Sequence, residues 1–191
     1  VLRMGDNIAH LPSEIYGFGL NQLGIVERIL GNLTVAFDLH SRAKEILLNQ
    51  PGGPTEDFAE SIHGIGAVQL LSNSPLEALQ SFESSLTVRK SIYDGRNIKI
   101  GNSYVNIAST LNSLGRYSES YEASKKALEQ YIGTVGQSHP KTAHALTSIG
   151  HYYFTQYQYD RAIRYLNEAL AILNTLNKRA SRLKLSLIHI S

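Results

Sequence analysis

Small side chains recur along this chain every 42 residues, and this repeat constrains the possible folds more than any other feature of the sequence. The small residues form three columns, and the second and third columns lie twelve and nineteen residues after the first. Every member is Gly, Ala or Ser: Gly24, Gly66, Ala108 and Gly150; Ala36, Ala78, Ser120 and Ala162; Ala43, Ser85, Ala127 and Ala169. Helices that cross closely need residues without bulk where their backbones approach. The columns therefore predict pairs of closely packed helices, repeated four times.

Large apolar residues accompany the small columns at helical spacing. In the fourth repeat, Leu146, Ile149 and Gly150 share one helical face because they are spaced i, i+3 and i+4. A second apolar stripe follows the second small column, although His40 and Lys44 interrupt it in the first repeat. Each repeat is therefore predicted to be a helical hairpin, and the hairpins are expected to stack because one alone cannot bury its apolar face. The expected hairpins cover residues 13–50, 55–93, 97–134 and 138–176.

Residues that start helices fall at the predicted boundaries. Ser13, Thr55 and Asn97 are spaced 42 residues apart, and each can accept a hydrogen bond from a free amide at a helix N-terminus. Ser138 and Pro140 are expected to start the fourth hairpin. The turn inside the fourth hairpin contains none of the Gly, Asn, Ser or Pro residues that mark the other three turns, so it is the weakest of the four turn signals.

The two ends of the chain are interpreted separately from the repeats. The chain begins at Val1 and has its first Met at position 4, so we interpret residues 1–12 as the cut end of a longer chain. Residues 177–184 are rich in Lys and Arg, which is typical of a solvated helix end. Residues 185–191 resemble a translated sequencing-library adapter and are expected to be a non-native tail, with a genuine short apolar tail as the alternative.

The composition argues against several classes of function. The chain has 18 Lys and Arg residues against 16 Asp and Glu, so it lacks the basic excess typical of nucleic-acid binding. The absence of Cys removes thiolate catalysis and Cys-based metal sites. His144 and His151 are seven residues apart, about 10 Å along a helix, which is too far for two ligands of one metal ion. We expect a non-enzymatic protein without cofactor, metal, nucleic acid or membrane partner, and the cytoplasm is the default location.

The repeat resembles the tetratricopeptide repeat (TPR) over residues 13–176. The fourth repeat matches best, through Leu146, Ile149, Gly150, Tyr153, Tyr159, Ala162, Leu166 and Ala169. The 42-residue period exceeds the ordinary repeat of about 34 residues, and the connector at 136–140 is similar to that of kinesin light chain repeats. HEAT or armadillo helices and WD40 propellers have similar periods, but the chain has no Trp and its small residues follow the TPR columns. The resemblance implies an all-α, right-handed solenoid that acts as a protein–protein interaction scaffold.

In TPR arrays the first helix of each hairpin lines a concave surface, so the resemblance also implies where a partner binds. Transferring those inward positions gives ten candidates: Glu60, His63, Asn102, Asn106, Ser109, Asn112, His144, Thr147, Ser148 and His151. Such amides, hydroxyls and imidazoles can donate to and accept from a peptide backbone. We expect a peptide or a partner helix in the groove of the third and fourth hairpins. The alternative is a sensor or regulatory segment of a larger signalling or enzymatic protein, and the oligomeric state is left open.

Tyrosine is concentrated in the second half of the chain. Nine of the eleven tyrosines lie between Tyr104 and Tyr165. Aromatic side chains serve both packing and partner contact. The positions of these residues favour filling of the hairpins over contact with a partner.

Overall fold

The computed structural model describes residues 12–188, with side chains as far as residue 178. Within that range the chain forms eight α-helices and no β-strand. The helices are α1 (Ser13–Ile29), α2 (Leu33–Leu48), α3 (Glu56–Leu71), α4 (Pro75–Ile92), α5 (Ile98–Ser113), α6 (Tyr117–Thr134), α7 (Pro140–Thr155) and α8 (Tyr159–Ile188). Consecutive helices pair as four hairpins, each closed by a turn of three residues. The predicted all-α class is confirmed.

The hairpins group into two compact units that divide between Asp94 and Gly95, the first containing α1–α4 and the second α5–α8. In the first unit α1 packs on α2, α3 packs on α4, and α3 also contacts α2 and α1. In the second unit α5 packs on α6, α7 packs on α8, and α6 contacts α7. Each hairpin therefore buries its apolar face partly inside itself and partly against the other hairpin of its unit.

The small columns lie where helices meet. All twelve of their members are buried. At Gly66, a Cβ atom would lie 3.0 Å from the ring of Phe82, and at Gly150 it would lie 2.9 Å from Leu166 of the partner helix. The close approach that the columns predict is thus confirmed at atomic contact.

His40, which interrupts the apolar stripe of the first hairpin, is fully buried. Its Nδ1 lies 3.1 Å from Oδ1 of Asn21, and Asn21 donates from Nδ2 to the backbone oxygen of Asp57 at 2.9 Å. Gly24 and Gly64 flank the imidazole, since a Cβ atom at either position would overlap the ring. A buried hydrogen-bond chain across α1, α2 and α3 therefore accommodates a polar residue where an apolar one was expected.

Two of the predicted helix caps are confirmed and two are wrong. Thr55 accepts from the Phe58 amide at 3.2 Å, and Asn97 accepts from the Lys99 amide at 2.7 Å. Ser13 is instead the first residue inside α1, and Pro12 occupies the cap position. For α7 the cap is His139 rather than Ser138, because a residue before proline is driven to an extended conformation. The Nδ1 atom of His139 accepts from the Lys141 amide at 3.1 Å.

The last helix runs further than the fourth repeat. α8 has 30 residues, and it passes through the basic residues at 177–184 as far as Ile188. The helical backbone therefore includes the first four residues of the segment 185–191, and residues 189–191 lie outside the described part of the chain.

The tyrosine-rich region contains a packed aromatic cluster formed by α6, α7 and α8. The rings of Tyr121 and Tyr152 stack with centroids 4.4 Å apart, and those of Tyr153 and Tyr165 stack at 5.5 Å. The hydroxyl groups of Tyr121 and Tyr153 lie 3.0 Å apart. The cluster supports the interpretation that these residues fill the hairpins, whereas Tyr157 at the turn is 80% exposed.

The turns inside the hairpins each place one residue in the left-handed conformation. Gly31 and Gly115 adopt it in the first and third hairpins, with φ of 86° and 72°. Asn73 adopts it in the second hairpin and Tyr157 in the fourth, with φ of 60° and 58°. A bulky residue is strained in this region, whereas Gly is not and Asn tolerates it. The weak turn signal of the fourth hairpin thus corresponds to a strained tyrosine.

We expect Tyr157→Gly to raise the free energy of unfolding by about 0.5–1 kcal/mol, because relief of the backbone strain exceeds the entropy that Gly loses on folding. Thermal unfolding would measure the change. Asn73→Gly is the matched control and should change stability less, because Asn already tolerates the conformation. A Tyr157→Gly variant that is less stable than wild type would contradict the expected strain.

Candidate peptide-binding surface

The candidate surface in the second unit is formed by α5 and α7, the first helices of their hairpins. Asn102 of α5 is half-buried, and its Oδ1 accepts hydrogen bonds from the Tyr131 hydroxyl at 2.9 Å and from Lys141 Nζ at 2.7 Å. Lys141 lies at the start of α7, so its bond to Asn102 joins the two helices directly. The Lys141 ammonium also lies 5.7 Å from the centroid of the Tyr131 ring. These contacts hold one predicted amide of the surface in a fixed orientation.

Tyr131 reaches Asn102 from α6 and is itself buried, with only 2% of its surface exposed. Burial raises the pKa of the Tyr131 hydroxyl to about 12, so the group keeps its proton at ordinary pH. Gly101 leaves room for the ring, because a Cβ atom there would lie 2.6 Å from Cε1 of Tyr131. The sequence pattern did not identify Tyr131 as part of this surface.

The remaining α5 candidates follow Asn102 along the same helix. Asn106 and Asn112 are half-buried, and Ser109 is exposed. The backbone oxygens of Asn106 and Ser109 accept hydrogen bonds from Thr110 and Ser113, respectively. With Asn102, the α5 candidates therefore comprise three half-buried amides and one exposed hydroxyl.

The α7 candidates consist of two imidazoles and two hydroxyls. His144, Thr147 and His151 are exposed, and Ser148 is half-buried. The Thr147 hydroxyl donates to the backbone oxygen of Ala143 at 3.0 Å, and the Ser148 hydroxyl donates to that of His144 at 3.2 Å. Because each hydroxyl has a single proton, both oxygens are left as acceptors toward a ligand.

The charge of this surface is one-sided. Neither α5 nor α7 contains Asp or Glu, whereas Lys99 and Lys141 supply positive charge. Helices that carry lysine and no carboxylate favour ligands with acceptor oxygens or negative charge.

The two candidates in the first unit are already engaged with another residue. Arg89 of α4 is 1% exposed, and its Nη2 lies 2.6 Å from Oε2 of Glu60 and 2.9 Å from Oε1 of Glu56. His63 Nδ1 lies 3.4 Å from Arg89 Nη1, and the His63 ring packs against Phe82 with centroids 5.1 Å apart. Glu60 and His63 thus belong to an intramolecular ion-pair cluster centred on Arg89. This cluster had a signal in the sequence. Arg89 follows Leu86 by three residues on the buried stripe of α4, and Glu56 and Glu60 are spaced four residues apart on α3.

Two hollows of the described surface lie away from these candidates. One of about 340 Å³ is lined by Arg96, Leu128 and Ile132 beside α6, and another of about 310 Å³ is lined by Phe37, Val68 and other residues of the first unit. Among the described residues no group of three His, Asp or Glu side chains could hold a metal ion. No helix within residues 12–188 combines the length and apolar character needed to cross a membrane.

The fold and the repeat columns agree with the comparison to protein families. The sequence profile of the tetratricopeptide repeat matches residues 18–91 and 99–175. The chain therefore belongs to the tetratricopeptide repeat family, whose members are generally scaffolds that bind other proteins. A search of curated protein sequences found no match.

Solved structures show the same architecture at low sequence identity. The apo form of RapI has 16% identity and a TM-score of 0.77, with coverage of 92% of this chain and 62% of RapI. BtubC (BKLC) from P. vanneervenii has 16% identity and a TM-score of 0.75, with coverage of 85% of this chain and 64% of BtubC. A Podosopora anserina protein with kinesin light chain TPR-like repeats has 16% identity and a TM-score of 0.69, with coverage of 87% and 80%. At these identities the likeness shows the fold alone, including the likeness to kinesin light chain repeats.

Proposed function

We propose that this chain is a non-catalytic protein–protein interaction scaffold that binds a peptide or a partner helix on the α5–α7 face of its second unit. The observation that carries the proposal is the Asn102 amide, which Tyr131 and Lys141 hold in place on a face with two further half-buried amides. Oriented amides and hydroxyls suit the alternating donors and acceptors of a peptide backbone. Affinity comes from several modest contacts.

The charge of the face narrows the class of ligand. With two lysines and no carboxylate on α5 and α7, a neutral or acidic peptide is favoured over a basic one. The near-neutral composition of the chain favours a protein partner over nucleic acid. Binding of an acidic peptide should weaken as salt concentration rises, because exposed charges are screened.

The amide contribution is tested by the double variant Asn106→Ala and Asn112→Ala. The probe is the set of peptides enriched by display selection from a random library on the wild-type chain, with affinity measured by calorimetry. Loss of two hydrogen bonds is expected to weaken binding by about tenfold or more. Asn167→Ala with Asn174→Ala, two exposed amides of α8, is the matched control and should leave affinity unchanged. Unchanged affinity in the α5 variant, with its melting temperature preserved, would remove these amides from the binding surface.

A further inference from the structure

The orientation of the Asn102 amide is determined by the two hydrogen-bond donors beside it, Lys141 Nζ and the Tyr131 hydroxyl. An ammonium group has no acceptor, so the Asn102 atom that lies 2.7 Å from Lys141 Nζ must be the oxygen. The Tyr131 hydroxyl donates to the same oxygen at 2.9 Å. The amide nitrogen therefore points away from both donors, and it donates to no other residue in the described part of the chain. Its two N–H groups are left for a ligand.

We infer that Tyr131 is a positioning residue that, with Lys141, fixes Asn102 as a hydrogen-bond donor and so makes this place select an acceptor oxygen of the ligand. That oxygen belongs to a backbone carbonyl or to a carboxylate of a bound peptide, and the inference rests on the proposed function. Tyr131 acts through Asn102, because its side chain is too deeply buried to contact a ligand itself.

The selectivity for an acceptor oxygen depends on the Asn102 amide being unable to rotate. If Asn102 could turn freely, it would present either its oxygen or its nitrogen and would accept N–H donors and acceptor oxygens alike. Rotation would place its NH₂ group against the Tyr131 hydroxyl and the Lys141 ammonium, and Lys141 would then lose its acceptor. The Tyr131 ring sits against Gly101, where no Cβ atom fits, so the hydroxyl is held in place. The site therefore excludes ligand ammonium and N–H groups at this position.

Tyr131→Phe removes the hydroxyl and keeps the buried ring. The probes are the peptides enriched by display selection on the wild-type chain, each prepared with its carboxylates intact and as carboxamides. We expect Tyr131→Phe to weaken binding by about threefold to tenfold, the value of one hydrogen bond. The side-chain NH₂ resonances of Asn102, followed by NMR without ligand, are expected to broaden or shift in the variant. A merely structural role of Tyr131 would alter stability without changing the preference for acceptor oxygens.

Tyr121→Phe is the matched control, because the Tyr121 hydroxyl on the same helix is also hydrogen-bonded but to Tyr153. It should leave peptide affinity and the Asn102 resonances unchanged.

Enriched peptides that bind Tyr131→Phe as tightly as wild type would overturn the inference alone. A selection that enriches no peptide would overturn the proposed function and the inference with it. Affinity lost on amidation identifies a carboxylate as the acceptor, and affinity retained identifies a backbone carbonyl; either result supports the inference if Tyr131→Phe weakens binding.

Discussion

Arg89→Met is expected to destabilise the first unit by about 3 kcal/mol. Methionine keeps much of the side-chain volume but removes the guanidinium that lies between the carboxylates of Glu56 and Glu60. The side chains of Glu56 and Glu60 are 24% and 23% exposed, so solvent can stabilise part of their unpaired charge. The expected loss of stability is therefore at the low end of the values for a broken buried ion pair. Native-state hydrogen exchange of α3 and α4 amides should show protection reduced about a hundredfold, since 1.4 kcal/mol corresponds to a factor of ten.

Arg42→Met provides the control for this prediction. Arg42 and Asp38 form an ion pair at 3.5 Å with side chains 49% and 64% exposed. Such exposed pairs contribute little, so the control should change stability by less than about 0.5 kcal/mol. Equal effects of the two substitutions would show that the Arg89 cluster contributes no more than a solvated pair.

Acidification from pH 7 to pH 4 is expected to cost the first unit about 3 kcal/mol through His40 alone. Burial lowers the pKa of His40 to about 4, against an ordinary value of 6.5, with Glu60 opposing the shift and Arg28 adding to it. Well above pH 6.5 the His40 ring is neutral in both the folded and the unfolded state and has no effect on the pH dependence of stability. Below it the unfolded chain binds the proton first, so stability falls until the pH reaches the folded-state pKa. Urea unfolding at several pH values would measure the slope.

His40→Gln removes the titration while keeping a side chain that can donate a hydrogen bond. The variant should lose the His40 part of the pH dependence, whatever its stability at pH 7. His144→Gln serves as control because His144 is exposed, and its pH profile should match that of wild type. If His40→Gln and wild type showed parallel stability profiles between pH 7 and pH 4, protonation of His40 would not be coupled to unfolding.

Most of the fold could be predicted from the sequence because the helix contacts repeat with the same period as the small residues. Ala36, Ala78 and their equivalents occupy contacts where a larger side chain has no room, so their spacing alone locates the hairpins. The helix cap of α7 and the turn of the fourth hairpin were harder to predict, because they depend on backbone conformations that residue type does not determine. His139 displaced Ser138 as a cap because of the following proline, and Tyr157 took a left-handed turn position that its side chain disfavours.

The candidate peptide-binding surface could be predicted less completely from the sequence than the fold. Helical periodicity places Asn102, Asn106 and Asn112 along one helix, but it does not reveal which of their atoms are already bonded inside the protein. Tyr131 and Lys141 lie 29 and 39 residues from Asn102, distances that do not match the repeat period. Glu60 was predicted to face a ligand, yet its nearest partner comes from α4. Side-chain pairing between helices therefore has to be determined from the structure.

The exposed residues Asp94, Gly95 and Arg96 mark the boundary between the two sets of internal contacts. Each side of that boundary has its own apolar interior.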